Sequence, residues 1–210
     1  MPAANAQEDA TADGGQDSLP ATAQRLLTGA IACFASKGYQ ASTTRDICNE
    51  ADLSAGALYV YFESKEHLLF ELVQRAHRDV LVALEALAPA EPGAEADLLV
   101  AQIRTLTHWH VDNHLRARVA QTELPNLRGD HLAAVRRQRT SIEALLRSTV
   151  VAGCESGVFR CADPQLFVRA TLSLCIDVIR WYNPGGHYGA DDLARSNVDI
   201  LHTYLQHAGQ

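Results

Sequence analysis

The stretch that decides the fold is residues 43–62, TTRDICNEADLSAGALYVYF. Thr43 precedes Asp46 at the spacing of a capping box, in which the Thr hydroxyl accepts from the backbone N–H of Asp46 and the carboxylate accepts from the N–H of Thr43. This spacing predicts a helix over residues 44–51. Three apolar side chains of the helix are expected to face a core: Ile47, Cys48 and Ala51.

A second and shorter helix is expected over residues 55–61, with Ser54 as its N-cap. At 1.5 Å per residue it would be roughly 10 Å long. Leu58 and Phe62 are four residues apart and are expected to face inward. Asp52 lies in the turn between the helices, where Asp tolerates a left-handed backbone better than most residues do.

Two short helices joined by a four-residue turn predict a helix-turn-helix, whose second helix enters the DNA major groove, about 12 Å wide. The small residues 55–57 would allow close approach to DNA, and Tyr59 and Tyr61 can place hydroxyls against phosphates or base edges. An ordinary helical hairpin inside a bundle fits the same spacing, so this pattern leaves both interpretations open.

Residues 41–69 resemble the DNA-binding domain of the TetR family of transcriptional regulators, from the Thr-Thr-Arg start through Ser64-Lys65 to Leu68-Leu69. The resemblance departs at Asp52, where the family usually has Gly. It implies that Thr44 and Arg45 contact the DNA backbone and a base edge, and that Lys65 binds a phosphate. The full set of implied DNA-contacting residues is Thr44, Arg45, Ala55, Gly56, Ala57, Tyr59, Tyr61 and Lys65.

The net charge of −7 argues against a nucleic-acid partner, but its distribution matters more than its sum. Residues 1–19 carry four acidic and no basic side chains, whereas residues 20–66 carry four basic and five acidic ones. We therefore expect few phosphate ion pairs and a shallow salt dependence of DNA binding. Base readout would depend on Arg45, the tyrosines and apolar contacts with thymine methyls.

Composition is typical of a globular protein, with 47% hydrophobic and 20% charged residues in 210. No apolar run reaches the roughly 18 residues that span a membrane, and no signal peptide is apparent. The five cysteines are scattered, odd in number and without a CxxC pair. We expect them to be reduced core residues of a cytoplasmic protein with no membrane association.

Helical periodicity dominates from residue 21 onward, so the predicted fold class is all-α. We expect a disordered tail over residues 1–19, a helix-turn-helix domain over residues 20–66, and a helical ligand-binding and dimerisation domain over residues 67–210. The predicted helices outside the helix-turn-helix cover residues 21–37, 65–87, 94–113, 116–123, 129–156, 164–182 and 191–207.

The segment at residues 167–182, FVRATLSLCIDVIRWY, carries apolar residues on nearly every side of a helix. Such a helix must be buried all round. A partner subunit would supply the second surface, which predicts a homodimer and hence a palindromic DNA operator. A central core helix of a monomer is the alternative.

Residues 116–147 carry seven arginines against Glu123, Asp130 and Glu143. A solvated helix face with local ion pairs explains this pattern, and a site for an anionic effector is the other interpretation. Segments such as WYNPGG at residues 181–186 resemble the TetR branch that controls lipid or steroid breakdown and responds to acyl-CoA thioesters. The effector-binding candidates on that basis are Trp109, Arg128, Arg136, Arg139, Asp177 and Trp181.

Three histidines, His108, His110 and His114, lie close together in sequence. They lack neighbouring Cys or carboxylate clusters, so we expect pocket or surface roles, no metal site and no cofactor. No nucleophile–base motif is apparent. The predicted function is a small-molecule-responsive transcriptional repressor and not an enzyme, with a helical carrier or enzyme bearing a vestigial helix-turn-helix as the alternative.

Overall fold

The structure is a computed structural model that describes residues 19–87 and 93–207. Within these ranges all regular structure is helical, which confirms the all-α prediction. The expected disordered tail lies outside them except for Leu19. The helices are α1 (Ala21–Ala41), α2 (Thr44–Glu50), α3 (Leu58–Tyr61), α4 (Lys65–Glu85), α5 (Glu95–Asp112), α6 (His114–Thr122), α7 (Gly129–Glu155), α8 (Pro164–Asp177) and α9 (Ala190–His207).

α1 departs from regular helix where the predicted helix over residues 21–37 ends. Gly38 has a φ of 80°, a left-handed backbone that Gly adopts without a steric penalty. Regular helix therefore stops at Lys37, and a further turn carries the chain to Ala41.

A first core joins α1, α2, α3 and the first half of α4 with side chains of α6 and the start of α7. The crossing of α1 over α2 is close, because a Cβ added at Gly29 would lie 2.9 Å from the carbonyl oxygen of Ile47. Ile47, Cys48 and Ala51 are buried in this core, as predicted.

The 21-residue α4 crosses two cores. Its residues up to Ala76 pack in the first, and Val80 and Leu84 pack in the second with α5, α7, α8 and α9. α4 therefore connects the two cores, and so does α7, which contributes Val135 to the first and Ile142 to the second.

The predicted helix over residues 164–182 is shorter in the structure. α8 ends at Asp177, and a 3₁₀ turn, Val178–Arg180, follows it. Phe167 and Cys175 are buried, but Leu166 remains 64% exposed. Within one chain α8 is thus buried on its inner face only, and its outer face is open.

Candidate functional site: an exposed short helix and an interior cavity

The capping box at the start of α2 is present as predicted. The hydroxyl of Thr43 accepts from the backbone N–H of Asp46 at 3.1 Å, and the Asp46 carboxylate accepts from the N–H of Thr43 at 2.8 Å. Lys37 Nζ donates to the same carboxylate at 2.7 Å. The bonds from Lys37 and Thr43 hold the pKa of Asp46 well below its usual range. They fix the orientation of α2 on α1.

The turn after α2 has the left-handed residue that was expected, since Asp52 has a φ of 53°. Arg25 of α1 donates from Nη2 to the carbonyl oxygens of Ala51 at 2.6 Å and Asp52 at 2.9 Å. The sequence pattern does not indicate this contact, because it depends on how α1 crosses the turn.

The expected start of the second helix at Ala55 is wrong. Regular helix begins at Leu58, and no side-chain cap is present, so Ser54 is not the N-cap. Residues 55–57 form i→i+3 turns instead, with the N–H of Ala57 donating to the carbonyl of Ser54 at 2.9 Å. Gly56 disfavours the α-helical conformation, which is consistent with a tighter turn here.

The short helix α3 rests on two buried anchors and exposes the residues between them. Leu58 is fully buried and Phe62 is 2% exposed, whereas Tyr59 is 60% and Val60 74% exposed. Neighbouring exposed apolar side chains of this kind mark an interaction surface.

Two of the predicted DNA-contacting residues, Thr44 of α2 and Tyr59 of α3, lie side by side. The Tyr59 hydroxyl lies 3.5 Å from Oγ1 of Thr44. Arg45 and Tyr61 are exposed, and no atom lies within 4 Å of a Cβ added at Gly56. Gly56 lies in the turn before α3, and no side chain packs against it.

The Lys65 side chain makes hydrogen bonds within the protein. Its Nζ donates to the carbonyl oxygens of Tyr39 and Ser42, both at 2.8 Å, and lies 4.1 Å from the centroid of the Tyr39 ring. Burial lowers the pKa of the Lys65 ammonium. An ammonium has three N–H donors, so one remains for a phosphate.

A cavity of about 870 Å³ lies among α4, α5, α6, α7 and α8. Four of the six predicted effector-binding residues line it: Trp109, Arg139, Asp177 and Trp181. Arg128 and Arg136 do not. Both are exposed, and Arg128 precedes α7, where its N–H donates to Glu66 at 3.3 Å. The arginine-rich segment is therefore not one site, because Arg139 lines the cavity whereas Arg128 and Arg136 are exposed outside it.

Two buried histidines, His77 and His110, line the cavity wall. Neither was among the six predicted effector-binding residues, although His110 belongs to the trio expected in pocket or surface roles. His77 Nδ1 lies 2.8 Å from the carbonyl oxygen of Val73, and His110 Nδ1 lies 2.7 Å from that of Leu106. Because a carbonyl only accepts, Nδ1 carries the proton in each ring. Burial, together with the positive charge of Arg139, lowers the pKa of both imidazoles to about 4. Both are neutral at pH 7, with Nε2 as an acceptor.

Arg139 lies beside these histidines and donates from Nη1 to Gln121 Oε1 at 2.8 Å. Burial lowers the pKa of its guanidinium, which nevertheless stays charged at pH 7. We call His77, His110, Gln121 and Arg139 the His–Arg cluster. Each comes from a different helix, so only the tertiary fold brings them together.

The other side of the cavity meets solvent along α8. Arg169, Asp177 and Trp181 are exposed there, and Trp181 is 59% exposed. Glu143 accepts from Gln165 and lies 3.9 Å from Arg169 Nε.

The remaining histidines of the predicted trio have ordinary contacts. His108 Nε2 lies 3.2 Å from Asp191, and the His114 ring packs on Tyr182 at 5.5 Å. Among residues 19–87 and 93–207, no group of three His, Cys, Asp or Glu side chains is placed to hold a metal ion. No helix in the same ranges is long and apolar enough to cross a membrane.

Two domain families match successive parts of this chain. Residues 26–72 match the bacterial regulatory proteins of the tetR family, and residues 93–205 match the tetracyclin repressor-like C-terminal domain. The HTH-type transcriptional repressor KstR2 of Rhodococcus jostii is 26% identical over 179 residues, which are 84% of this chain and 87% of that protein.

Solved structures have the same fold. A bacterial regulatory protein in the tetR family from Rhodococcus RHA1 is 33% identical with a TM-score of 0.84, over 89% of this chain and 98% of that one. AibR, solved in complex with isovaleryl coenzyme A and operator DNA, is 18% identical with a TM-score of 0.76, over 85% and 97%. The chain is a member of the TetR family of bacterial regulatory proteins.

Proposed function

We propose that the protein is a cytoplasmic, homodimeric transcriptional repressor, which a small apolar or acyl-CoA-type effector releases from a palindromic operator. Residues 20–66 would bind DNA, and residues 67–210 would bind the effector and form the dimer. The observation that carries this proposal is the exposed surface of α3, held by the buried side chains of Leu58 and Phe62.

The geometry of this surface suits a major groove. α3 is short, and the turn before it, residues 55–57, carries only small side chains, so the backbone there can approach base edges closely. Tyr59 and Tyr61 offer hydroxyls, and Val60 offers a methyl surface for thymine. Arg45 is the strongest hydrogen-bond donor on this surface, because its guanidinium can contact guanine with two N–H groups.

The cavity fits an apolar effector. Its volume of about 870 Å³ lies within the usual range for small-molecule sites, about 300–1,000 Å³. Much of its wall is apolar, from Ala76, Val80, Leu106, Trp109, Ile142 and Leu172. The AibR complex with isovaleryl coenzyme A supports an acyl-CoA-type effector as one option.

The open face of α8 and α9 supports the dimer. Leu166 is 64%, Ile200 55% and Tyr204 50% exposed in the single chain. Exposed apolar side chains gathered on neighbouring helices mark an interaction surface. A second copy of the chain would bury them and place two α3 helices on one duplex.

Control by the effector requires a path from the cavity to α3. α4 begins four residues after α3 ends, and its residues Ala76, His77 and Val80 line the cavity. An effector that binds one orientation of α4 better than another would shift the DNA-binding equilibrium by that difference in affinity.

Selection from a library of random-sequence duplexes tests the proposal. The protein should enrich a palindromic sequence with two half-sites one helical turn apart, or a multiple of it. If repeated rounds enrich no sequence, the DNA-binding function is contradicted and a helical carrier becomes the better account. Arg45→Ala protein carried through the same rounds serves as the matched control.

A further inference from the structure

The His–Arg cluster contains a positive charge without a contacting counterion. Within residues 19–87 and 93–207, no carboxylate lies within 4 Å of the Arg139 guanidinium, whose side-chain partner is the neutral amide of Gln121. Glu143 follows one turn later on α7, but it is engaged by Gln165 and Arg169. A partly buried guanidinium without an anion is unfavourable unless a ligand supplies one.

The two histidines do not supply the negative charge that would balance Arg139. Both are neutral, and each uses Nδ1–H on its own helix. A cluster with one net positive charge therefore faces the cavity. A hydroxyl group could donate to an imidazole Nε2, but it would leave this charge uncompensated. A carboxylate compensates it and can accept two parallel N–H bonds from the guanidinium.

We infer that the His–Arg cluster is a carboxylate-binding subsite, so that the effector is an apolar molecule bearing a free carboxylate. This inference rests on the proposed effector role of the cavity. The carboxylate lies against Arg139, and the hydrocarbon part lies along the apolar wall. That wall includes Ala76, Val80, Leu106, Ala117, Ala120 and Ile142.

A matched pair of probes tests this assignment. Decanoate and 1-decanol have the same chain length and differ in the charge of one end. The sequence has two tryptophans, Trp109 and Trp181, and both line the cavity, so intrinsic fluorescence reports binding. We expect decanoate to bind about tenfold more tightly than 1-decanol, because charge-assisted bidentate bonds are stronger than neutral ones.

Two variants locate the effect. Arg139→Gln should reduce the preference for decanoate to about twofold or less, because the amide carries no charge. Arg136→Gln on the same helix, exposed and outside the cavity, should retain it. Circular dichroism establishes that the variants are folded. If Arg139→Gln does not fold, Arg139→Lys, which keeps the charge, should retain a preference for decanoate.

The outcomes separate the two proposals. Equal binding of both probes, or tighter binding of 1-decanol, overturns the carboxylate subsite and leaves the cavity as an effector site. Absence of saturable binding by either probe overturns the subsite and leaves an acyl-CoA-type effector as the remaining option for the cavity. A decanoate preference that persists in Arg139→Gln also overturns the assignment to this cluster.

Discussion

His131 Nδ1 lies 2.7 Å from the Glu66 carboxylate and joins the first turn of α7 to the first turn of α4. The Phe70 ring stacks on His131 with centroids 4.0 Å apart and planes at 10°. Glu66 follows α3 by only five residues, and α7 carries Arg139 into the cavity. This contact therefore joins α4 and α7, the two helices that carry His77 and Arg139 in the cavity wall.

A double-mutant cycle should detect the Glu66–His131 contact. The variants Glu66→Ala, His131→Ala and their combination should show a coupling free energy of about 1 kcal/mol, because the pair is hydrogen-bonded and half-buried. Urea unfolding at one fixed protein concentration measures it. As a control, Glu66→Ala combined with His187→Ala in an exposed loop should be additive within about 0.5 kcal/mol. A coupling near zero for Glu66 and His131 would contradict the contact.

Stability should fall on acidification below neutral pH because of His77 and His110. Burial lowers the pKa of each to about 4, below the unfolded value of 6.5. The unfolded state therefore binds more protons between pH 6.5 and pH 4, and the free energy of unfolding falls as pH falls through that window. From pH 7.5 to 5.5 the two residues should contribute a loss of about 3 kcal/mol.

Urea unfolding of His77→Gln/His110→Gln at both pH values checks this assignment. The double variant should lose most of the pH dependence between pH 7.5 and 5.5. The same pH dependence in the variant and the wild type would show that other groups are responsible.

The dimer should depend on the outer face of α8 and α9. Ile200→Glu places a charge on an exposed apolar position of α9 and should produce monomers, because burying an unpaired carboxylate in an interface is strongly unfavourable. Light scattering after size-exclusion chromatography measures the mass. Val82→Glu on α4, at a position 57% exposed, is the matched control and should remain dimeric. A dimeric Ile200→Glu protein would place the interface elsewhere.

DNA binding should depend only weakly on salt. Of the four basic side chains in residues 20–66, Lys37 pairs with Asp46, Arg25 binds the turn carbonyls, and Lys65 binds two carbonyls. Arg45 is assigned to a base edge, so the third N–H of Lys65 is left as the principal contact for a phosphate. With one or two phosphate contacts per subunit, log K plotted against log salt should have a slope of about −2 to −4 for the dimer. A slope steeper than about −7 would show a much larger electrostatic footprint.

Much of the structure of residues 20–66 could be predicted from short-range sequence patterns. The Thr43–Asp46 capping box, the break at Gly38 and the left-handed Asp52 depend on neighbours within a few residues, so the sequence could predict them. The inward positions of Leu58 and Phe62 follow from helical periodicity. The start of α3 could not be predicted in this way, because Ser54 is a common cap and the tighter turn at residues 55–57 competes with it.

The residues of the cavity wall could be identified only from the tertiary structure. Trp109 and Trp181 could be proposed from residue type, but sequence cannot show which arginines of an arginine-rich helix face inward. Arg139 lines the cavity, whereas Arg136, three residues earlier, is exposed. The His–Arg cluster draws single residues from α4, α5, α6 and α7, so no local pattern marks it.

The affinity of the Arg45→Ala variant for the selected palindromic duplex tests the central claim most directly. Fluorescence anisotropy should show that wild-type protein prefers this duplex to a shuffled one by about 10³-fold or more. Arg45→Ala should bind the palindrome about 10- to 100-fold more weakly, through loss of base contacts. Arg104→Ala, an exposed arginine of α5, should bind as the wild type does. Equal binding of both duplexes by the wild type, or an unchanged affinity in Arg45→Ala, would contradict operator recognition by this surface.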